Sequence, residues 1–495
     1  MAKNNVFNSV IILTVTMLFI KILSALYRVP YQNVLGDAGL YAYQQVYPMA
    51  AIIAVLSLNA VPSVISQFNH EYAEKVYRLL RISSLMLLIL LMMFSGLIAR
   101  MMGDENLSLM LRVSLLVLLP FSFVAVARGE LQRRDAMQTI AISQLIDQLI
   151  RVSVILLGIY LYTMGFSVYE SGAVSILGSF LGISGAWLYL RRKERINPTG
   201  SLDNKQLKQF LLLTLFYALS YLIMILWQLV DSFTVLNLLK HVGYSLHDSR
   251  ELKGIYDRGA SLIQMGLIVT TSFALVLIPL LAQAKRQGRH KEMNDYASSA
   301  LKITIVFSSA ASIGLLNLIK PFNLFLFKSD TEAGTLAVYM LAVIFVSLII
   351  MFTAMLQITE DYRVQAFGVV SGLITKIVLN IVLITNFGIL GAAIATVSGL
   401  LVYTIILYRQ IILRYTLTLK SFTVRWVMTL TMMSLVLQLI VQLPFTDRLS
   451  ALLVSLSGVA AGVLIVGFAM IKYKIISADE WLHLPFGERV IRWMK

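Results

Sequence analysis

Residues 82–99, ISSLMLLILLMMFSGLIA, are 18 residues without a charge, closed by Arg81 on one side and Arg100 on the other. At 1.5 Å per residue such a segment is about 27 Å long as a helix, close to the hydrocarbon thickness of a bilayer. Comparable runs recur along the whole chain. Lipid offers no partner for an open backbone group, so only helices or closed barrels span it. The run lengths and the lack of strict alternation select helices. Composition agrees: the 495 residues are 58% hydrophobic and 13% charged, with a mean hydropathy of +0.81. A soluble chain carries about 25% charged residues. The expected class is an all-α polytopic membrane protein.

Spans are expected near 7–28, 39–68, 80–100, 107–127, 138–162, 169–190, 208–236, 258–284, 298–320, 334–357, 364–385, 388–408, 422–443 and 449–471, about fourteen in all. The mildly basic Met1–Ser9 runs into the first without a small-residue cleavage site, so that span is read as uncleaved. The basic stretches RRKER (191–195) and KRQGRHK (285–291) fall in even-numbered loops, which puts both termini in the cytoplasm. That rule also gives the net charge of +16 a membrane explanation, and no nucleic-acid partner is expected. No loop exceeds about 20 residues, too short to hide a soluble domain. The tail, 473–495, mixes Trp481, Leu484, Val490, Ile491 and Trp493 with basic residues, as a cytoplasmic amphipathic helix or a frayed end would.

The two halves resemble each other. AVPSVISQF (60–68) and LIPLLAQA (277–284) both place a proline before a glutamine near a span's end, and LQRRDAMQTIAISQLI (131–146) parallels LQITEDYRVQAFGVVSGLI (356–374). The division is then a six-helix lobe over 1–205, a second over 206–420, two further helices over 421–472 and the tail. Parallel repeats of this kind place a transport site between the halves near the midplane.

Ionisable residues inside spans are Lys21, Arg28, Asp147, Arg151, Asp231, Arg258 and Lys376. Such residues mark cavities or pairs; for Arg28 and Arg258, near span ends, snorkelling is the alternative. In ISQLIDQLIRVSVIL (142–156), Asp147 and Arg151 lie about 13 Å and about 20 Å along the fifth span. Four residues apart, acid first, they share a face and form the better-oriented pair. Gln144 and Gln148 extend that polar stripe. Either the pair is self-neutralising and structural, or Arg151 lines a cationic cavity that Asp147 gates. Several Arg and Lys in one cavity suit phosphate or diphosphate. No cysteine is present, and His70, His241, His247, His290 and His483 fall in loops or the tail. Neither a metal site nor a cofactor is expected. No Walker A pattern appears.

RGELQRRDAMQTIAISQLIDQLIRV (128–152) resembles a signature of the MATE-like multidrug/oligosaccharidyl-lipid/polysaccharide exporter superfamily, in particular its stage V sporulation protein B and MurJ-type lipid II flippase group. The matching residues are Arg128, Gly129, Gln132, Thr139, Ser143, Gln144, Asp147, Gln148, Arg151 and Val152. ALYRVPYQNVLGDAGLYAYQQVYP (25–48), QLVDSFTVLNLL (228–239) and GIYDRGASLIQMG (254–266) look alike too. Arg133 and Gln138 stand where the family usually has Gly and Pro, and Ala60-Val61-Pro62 replaces Gly-Leu-Pro. The resemblance implies a six-plus-six-plus-two helix fold in a bacterial plasma membrane and a central cavity lined by Arg28 and Arg258, with Lys21 beside them.

The expected activity is a flippase for an undecaprenyl-diphosphate-linked cell-wall precursor, with Arg28, Arg151, Arg258 and Lys21 as substrate-binding cations. Asp147, Asp231, Gln144 and Gln148 would gate it or couple it to a monovalent cation. Membrane lipids and the lipid-linked sugar diphosphate are the expected partners. A cation-coupled multidrug exporter of the same fold would need an acidic cavity instead. A glycan polymerase or ligase would need outward-facing acids. The 240–257 segment, with Asp248, Glu251 and Asp257 among Lys240, Arg250 and Lys253, reads as a solvated loop.

Overall fold

The computed structural model describes residues 19, 20, 23, 24, 26–359, 361–417, 423–473, 475 and 476, and for 269–280 the backbone alone. Every regular element among these residues is helical. In chain order they are α1 (Arg28–Ile65), α2 (His70–Met101), α3 (Glu105–Arg133), α4 (Met137–Thr163), α5 (Val168–Arg191), α6 (Asn204–Tyr221), α7 (Ile223–His241), α8 (Leu246–Arg286), α9 (His290–Asn317), α10 (Ile319–Phe327), α11 (Ala333–Thr359), α12 (Tyr362–Phe387), α13 (Ile389–Arg414), α14 (Thr423–Val441) and α15 (Arg448–Lys472). Among the described residues twelve of them, α1–α5, α7, α9 and α11–α15, are long and apolar enough to cross a membrane. Most of the expected first span, Lys21 included, and nearly all of the tail lie outside the described residues. The seventh expected span is two helices that meet at Leu222; no residue there dictates the break.

Contacts divide the chain into two compact units, Met1–Asp257 and Arg258–Lys495, the division falling inside α8. In the first unit α3 is the most enclosed span and α2 the least. Met86, Ile89 and Met93 on α2 are exposed, which suits a helix that faces acyl chains. Local sequence sets the helix starts. Asn69 caps α2 through Tyr72 N at 3.0 Å, and Ser167 with Glu170 forms a capping box on α5, as Asp203 with Gln206 does on α6.

The interior of α1 is irregular twice. Gly36 takes φ 74°, open to glycine at little cost, and breaks the helix where an outer loop over 29–38 was expected. Leu56–Ala60 is a π turn just before Pro62, a local adjustment of the kind that accommodates a proline within a span.

The second unit holds α9–α15 and the rest of α8. Trp426 Nε1 donates to Ser309 Oγ at 2.9 Å and Ser434 Oγ to Asn317 Oδ1 at 3.1 Å, tying α14 to α9. Between α8, α9, α14 and α15 lies an apolar cavity of about 630 Å³, lined by Leu262, Phe307, Leu315, Met433, Leu437 and Val466 among others.

Candidate functional site

The polar stripe of α4 is buried inside the first unit. Asp147 is 4% exposed, and Gln144 and Gln148 are buried with it. Arg151 Nη2 donates to Asp147 Oδ1 at 2.8 Å, so the i,i+4 pair read from the sequence forms. Asp147 also faces a second cation: Arg128 Nη2, from α3, is 3.9 Å from its Oδ2. Arg128 is wholly buried, and its Nε donates to Ser143 Oγ at 3.1 Å. Four positions of the 128–152 signature thus meet in space. One carboxylate between two guanidinium groups leaves a net positive charge.

The close approach of α5 seals this pair. A Cβ on Gly182 would come within 2.5 Å of Asp147 O and 2.6 Å of its Oδ1, and one on Gly178 within 2.8 Å of Arg151 O. Small residues four apart let two spans pack backbone to backbone.

Arg28, at the start of α1, is 1% exposed, so it does not snorkel. Its guanidinium lies 5.8 Å from the Tyr27 ring and 5.4 Å from the Tyr47 ring. Tyr27 and Tyr43 share a hydroxyl contact of 3.2 Å. The same three tyrosines, Tyr27, Tyr43 and Tyr47, face both Arg28 and Arg151. Among the described residues, Nε and Nη1 of Arg28, Nη1 and Nη2 of Arg128, Nε of Arg151, Nε2 of Gln148 and both amide atoms of Gln44 are buried without a hydrogen-bond partner. Buried donors left open are costly. Here they are concentrated on cations, the arrangement that an anion would complete.

Asp231, on α7, accepts from Tyr256 Oη at 3.1 Å and lies within electrostatic reach of Asp257, as Arg28 also does. Lys253 Nζ donates to Asp257 Oδ1 at 2.6 Å, both side chains buried. The reading of 240–257 as a solvated loop is therefore corrected. Ser245 Oγ accepts from Asp248 N at 3.1 Å and donates to its carboxylate at 2.7 Å. That cap starts α8 twelve residues before Arg258.

Arg258 belongs to the second unit. It is 1% exposed, donates to Asn323 Oδ1 at 3.3 Å and lies 5.6 Å from the Phe327 ring. Lys376, also in that unit, is buried and donates to Thr396 Oγ1. The site residues missed from the sequence are Arg128, Lys253 and Asp257. Arg128 was visible in the signature, but hydropathy ended its span at 127. At the same end as α8's cap, Asp104 accepts from Tyr41 (3.2 Å), Tyr169 (2.7 Å) and, through both oxygens, Arg250 (2.9 and 3.0 Å).

Among known proteins, the family model described as polysaccharide biosynthesis protein matches residues 6–285. The chain is 35% identical to the uncharacterized membrane protein YabM of Bacillus subtilis (strain 168), over 96% of its own length and 94% of the relative's. It is 22% identical to the lipid II flippase MurJ of the same organism, over 78% and 79%. Among solved structures it is similar to a lipid II flippase MurJ in an inward closed conformation (TM-score 0.72, 18% identity, 94% of this chain and 100% of that one). It also resembles an inward-facing MATE-family multidrug resistance transporter (TM-score 0.65, 16% identity, 82% and 98%). The match over more than half the chain and the near full-length kinship agree: the chain belongs to the polysaccharide biosynthesis protein family.

Proposed function

We propose that the chain is a flippase that carries an undecaprenyl-diphosphate-linked cell-wall precursor from the inner to the outer leaflet of a bacterial plasma membrane by alternating access. The observation that carries this reading is the set of open guanidinium donors on Arg28, Arg128 and Arg151, buried in a net-positive cluster. Arginine binds phosphate oxygens in pairs. A carrier of organic cations would need the opposite sign of charge, and the basic cluster disfavours that alternative. The transporter relatives favour transport over glycan synthesis.

In this reading the diphosphate contacts Arg28 and Arg151, with Arg258 and Lys21 as further cationic contacts. Asp147 and Asp231, with Gln144 and Gln148, gate or couple the movement. Two six-helix lobes, 1–205 and 206–420, rock about the substrate, and the chain's two ends stay in the cytoplasm. The polyprenyl tail stays in the surrounding lipid. An anion moving outward works against an inside-negative potential by about 2.3 kcal/mol per charge per 100 mV, so a co-transported monovalent cation is part of the proposal.

The test is complementation of a strain with a conditional lipid II flippase. The wild-type chain is expected to restore growth, and Arg28→Ala and Arg151→Ala, at matched expression, are expected to fail. Rescue by both variants would sink the cationic-site reading. Failure of the wild-type chain with restored export of another envelope polysaccharide would move the cargo to that polymer.

A further inference from the structure

A cavity of about 1020 Å³ lies in the first unit between α2, α3, α5 and the chain that follows α5. None of the transport-site residues lines it. Its lining is of two kinds. Leu85, Leu119 and Leu188 are apolar and exposed toward the surroundings. Arg81, Arg191 and Arg195 are basic, and the Arg191 guanidinium lies 5.2 Å from the Trp187 ring. Among the described residues these three arginines have no acidic partner. The acid in the lining, Glu194, is already taken by Arg134 at 3.1 Å.

The polar wall is held in place. Glu74 on α2 accepts from Thr199 Oγ1 at 2.7 Å and from Asn197 N at 3.4 Å, and Arg78 Nη1 donates to Gly200 O at 3.0 Å. Ile196 is buried. These bonds pin residues 196–200 against α2, so the cavity is part of the fold. Trp beside Arg at a span's end marks headgroup depth. Basic pockets between spans recognise anionic lipid headgroups, and the exposed leucines offer an acyl chain a path out to the bilayer.

We propose that this cavity seats an anionic glycerophospholipid of the surrounding membrane, its phosphate held by Arg81, Arg191 and Arg195 and an acyl chain lying over Leu85, Leu119 and Leu188. The leaflet is the one into which the basic 191–195 segment projects. The bound lipid braces α2 against α5. It is a resident of the fold and not the cargo, so it binds whether or not the chain flips lipid.

The test is native mass spectrometry of the full chain in detergent, incubated with phosphatidylglycerol, phosphatidylcholine or a polyprenyl phosphate. Phosphatidylglycerol is expected to be retained over phosphatidylcholine. The triple variant Arg81→Ala/Arg191→Ala/Arg195→Ala is expected to lose that retention by about tenfold or more, the scale of one charge-assisted hydrogen bond. Ser184→Phe fills the cavity without changing charge and is expected to lose it too, which keeps the test open if the triple variant does not fold. Arg100→Ala, paired with Glu105 away from the cavity, should bind like wild type. Equal retention of the two phospholipids, or wild-type binding by Ser184→Phe, overturns the proposal. Displacement of phosphatidylglycerol by equimolar polyprenyl phosphate overturns it in favour of the carrier lipid.

Discussion

Replacing Asp147 by leucine removes the carboxylate that two buried guanidinium groups face. At 2.8 Å and 3.9 Å, its gross attraction to Arg151 and Arg128 is about 6 and about 4 kcal/mol at an effective dielectric constant of 20. Both are lost together, and the two arginines are left to repel each other out of water. Removing one member of a buried pair costs about 3–5 kcal/mol, and Asp147→Leu should fall at the upper end. Arg151→Met is milder, because Asp147 keeps Arg128 and the Arg151 Nε made no bond to lose; about 1–2 kcal/mol is expected. Removing the whole group in Arg128→Met/Asp147→Leu/Arg151→Met leaves no uncompensated charge and should recover most of the stability. The assay is thermal unfolding of the purified protein in detergent, followed by tryptophan fluorescence. The order of melting temperatures should be wild type, triple variant and Arg151→Met above Asp147→Leu. Because the group is buried, 0.5 M salt should leave that order unchanged. An Arg151→Met variant as unstable as Asp147→Leu, or a triple variant no better than Asp147→Leu, would refute the shared-carboxylate account.

Gly182→Leu forces α5 away from Asp147 and is expected to destabilise by about 1–3 kcal/mol, read as a lower melting temperature with weaker complementation. Arg250→Ala leaves Asp104 with Tyr41, Tyr169 and Asn106 as its partners and removes its cation. The chain has no cysteine, so a single cysteine introduced at Asn106 can be labelled cleanly, and labelling should quicken in the Arg250→Ala background. Asp361, between α11 and α12, is partly buried, which opposes ionisation, but hydrogen bonds from Arg414 and Thr359 win and hold its carboxyl below the usual range. A depressed carboxylate stabilises above its unfolded pKa and loses that contribution as pH falls through the folded one. Wild type should therefore outmelt Asp361→Asn at neutral pH, and the two melting curves should converge below about pH 4.

Hydropathy located most of the spans among the described residues, though it read α6 and α7 as one, and a spacing of four located the Asp147–Arg151 pair, because both are local properties of a helix. What stayed hidden is set by partners distant in sequence. Arg128 sits where an apolar run has just ended, and a hydropathy window stops there. The helix continues to Arg133 because Asp147 and Ser143, on another span, receive the guanidinium. Lys253 and Asp257 are four apart like the α4 pair, yet among Asp248, Arg250 and Glu251 they look like solvated loop charges. The Ser245 cap makes the segment a helix, and packing then buries one face of it. Gly36 and Asp37 fall between the spans expected at 7–28 and 39–68, yet the helix resumes directly after Gly36.

The charges of the first unit also bear on coupling. Arg128, Asp147 and Arg151 together leave one positive charge, Arg28 adds another, and Lys253 and Asp257 cancel. Asp231, bonded by the Tyr256 hydroxyl, and Asp37, buried and accepting from Gln32, are further acids of that unit. In the proposed cycle Asp231 holds the co-transported monovalent cation, so loading of the anion and loading of that cation favour each other, as reciprocal linkage requires. Asp231→Asn removes the carboxylate that would hold the cation. The variant should bind a polyprenyl diphosphate without dependence on sodium concentration, whereas wild-type binding should strengthen as sodium concentration rises. Binding to immobilised protein in detergent reads this directly. An unchanged sodium dependence in Asp231→Asn would remove Asp231 from coupling and leave Asp257 as the next acid to test.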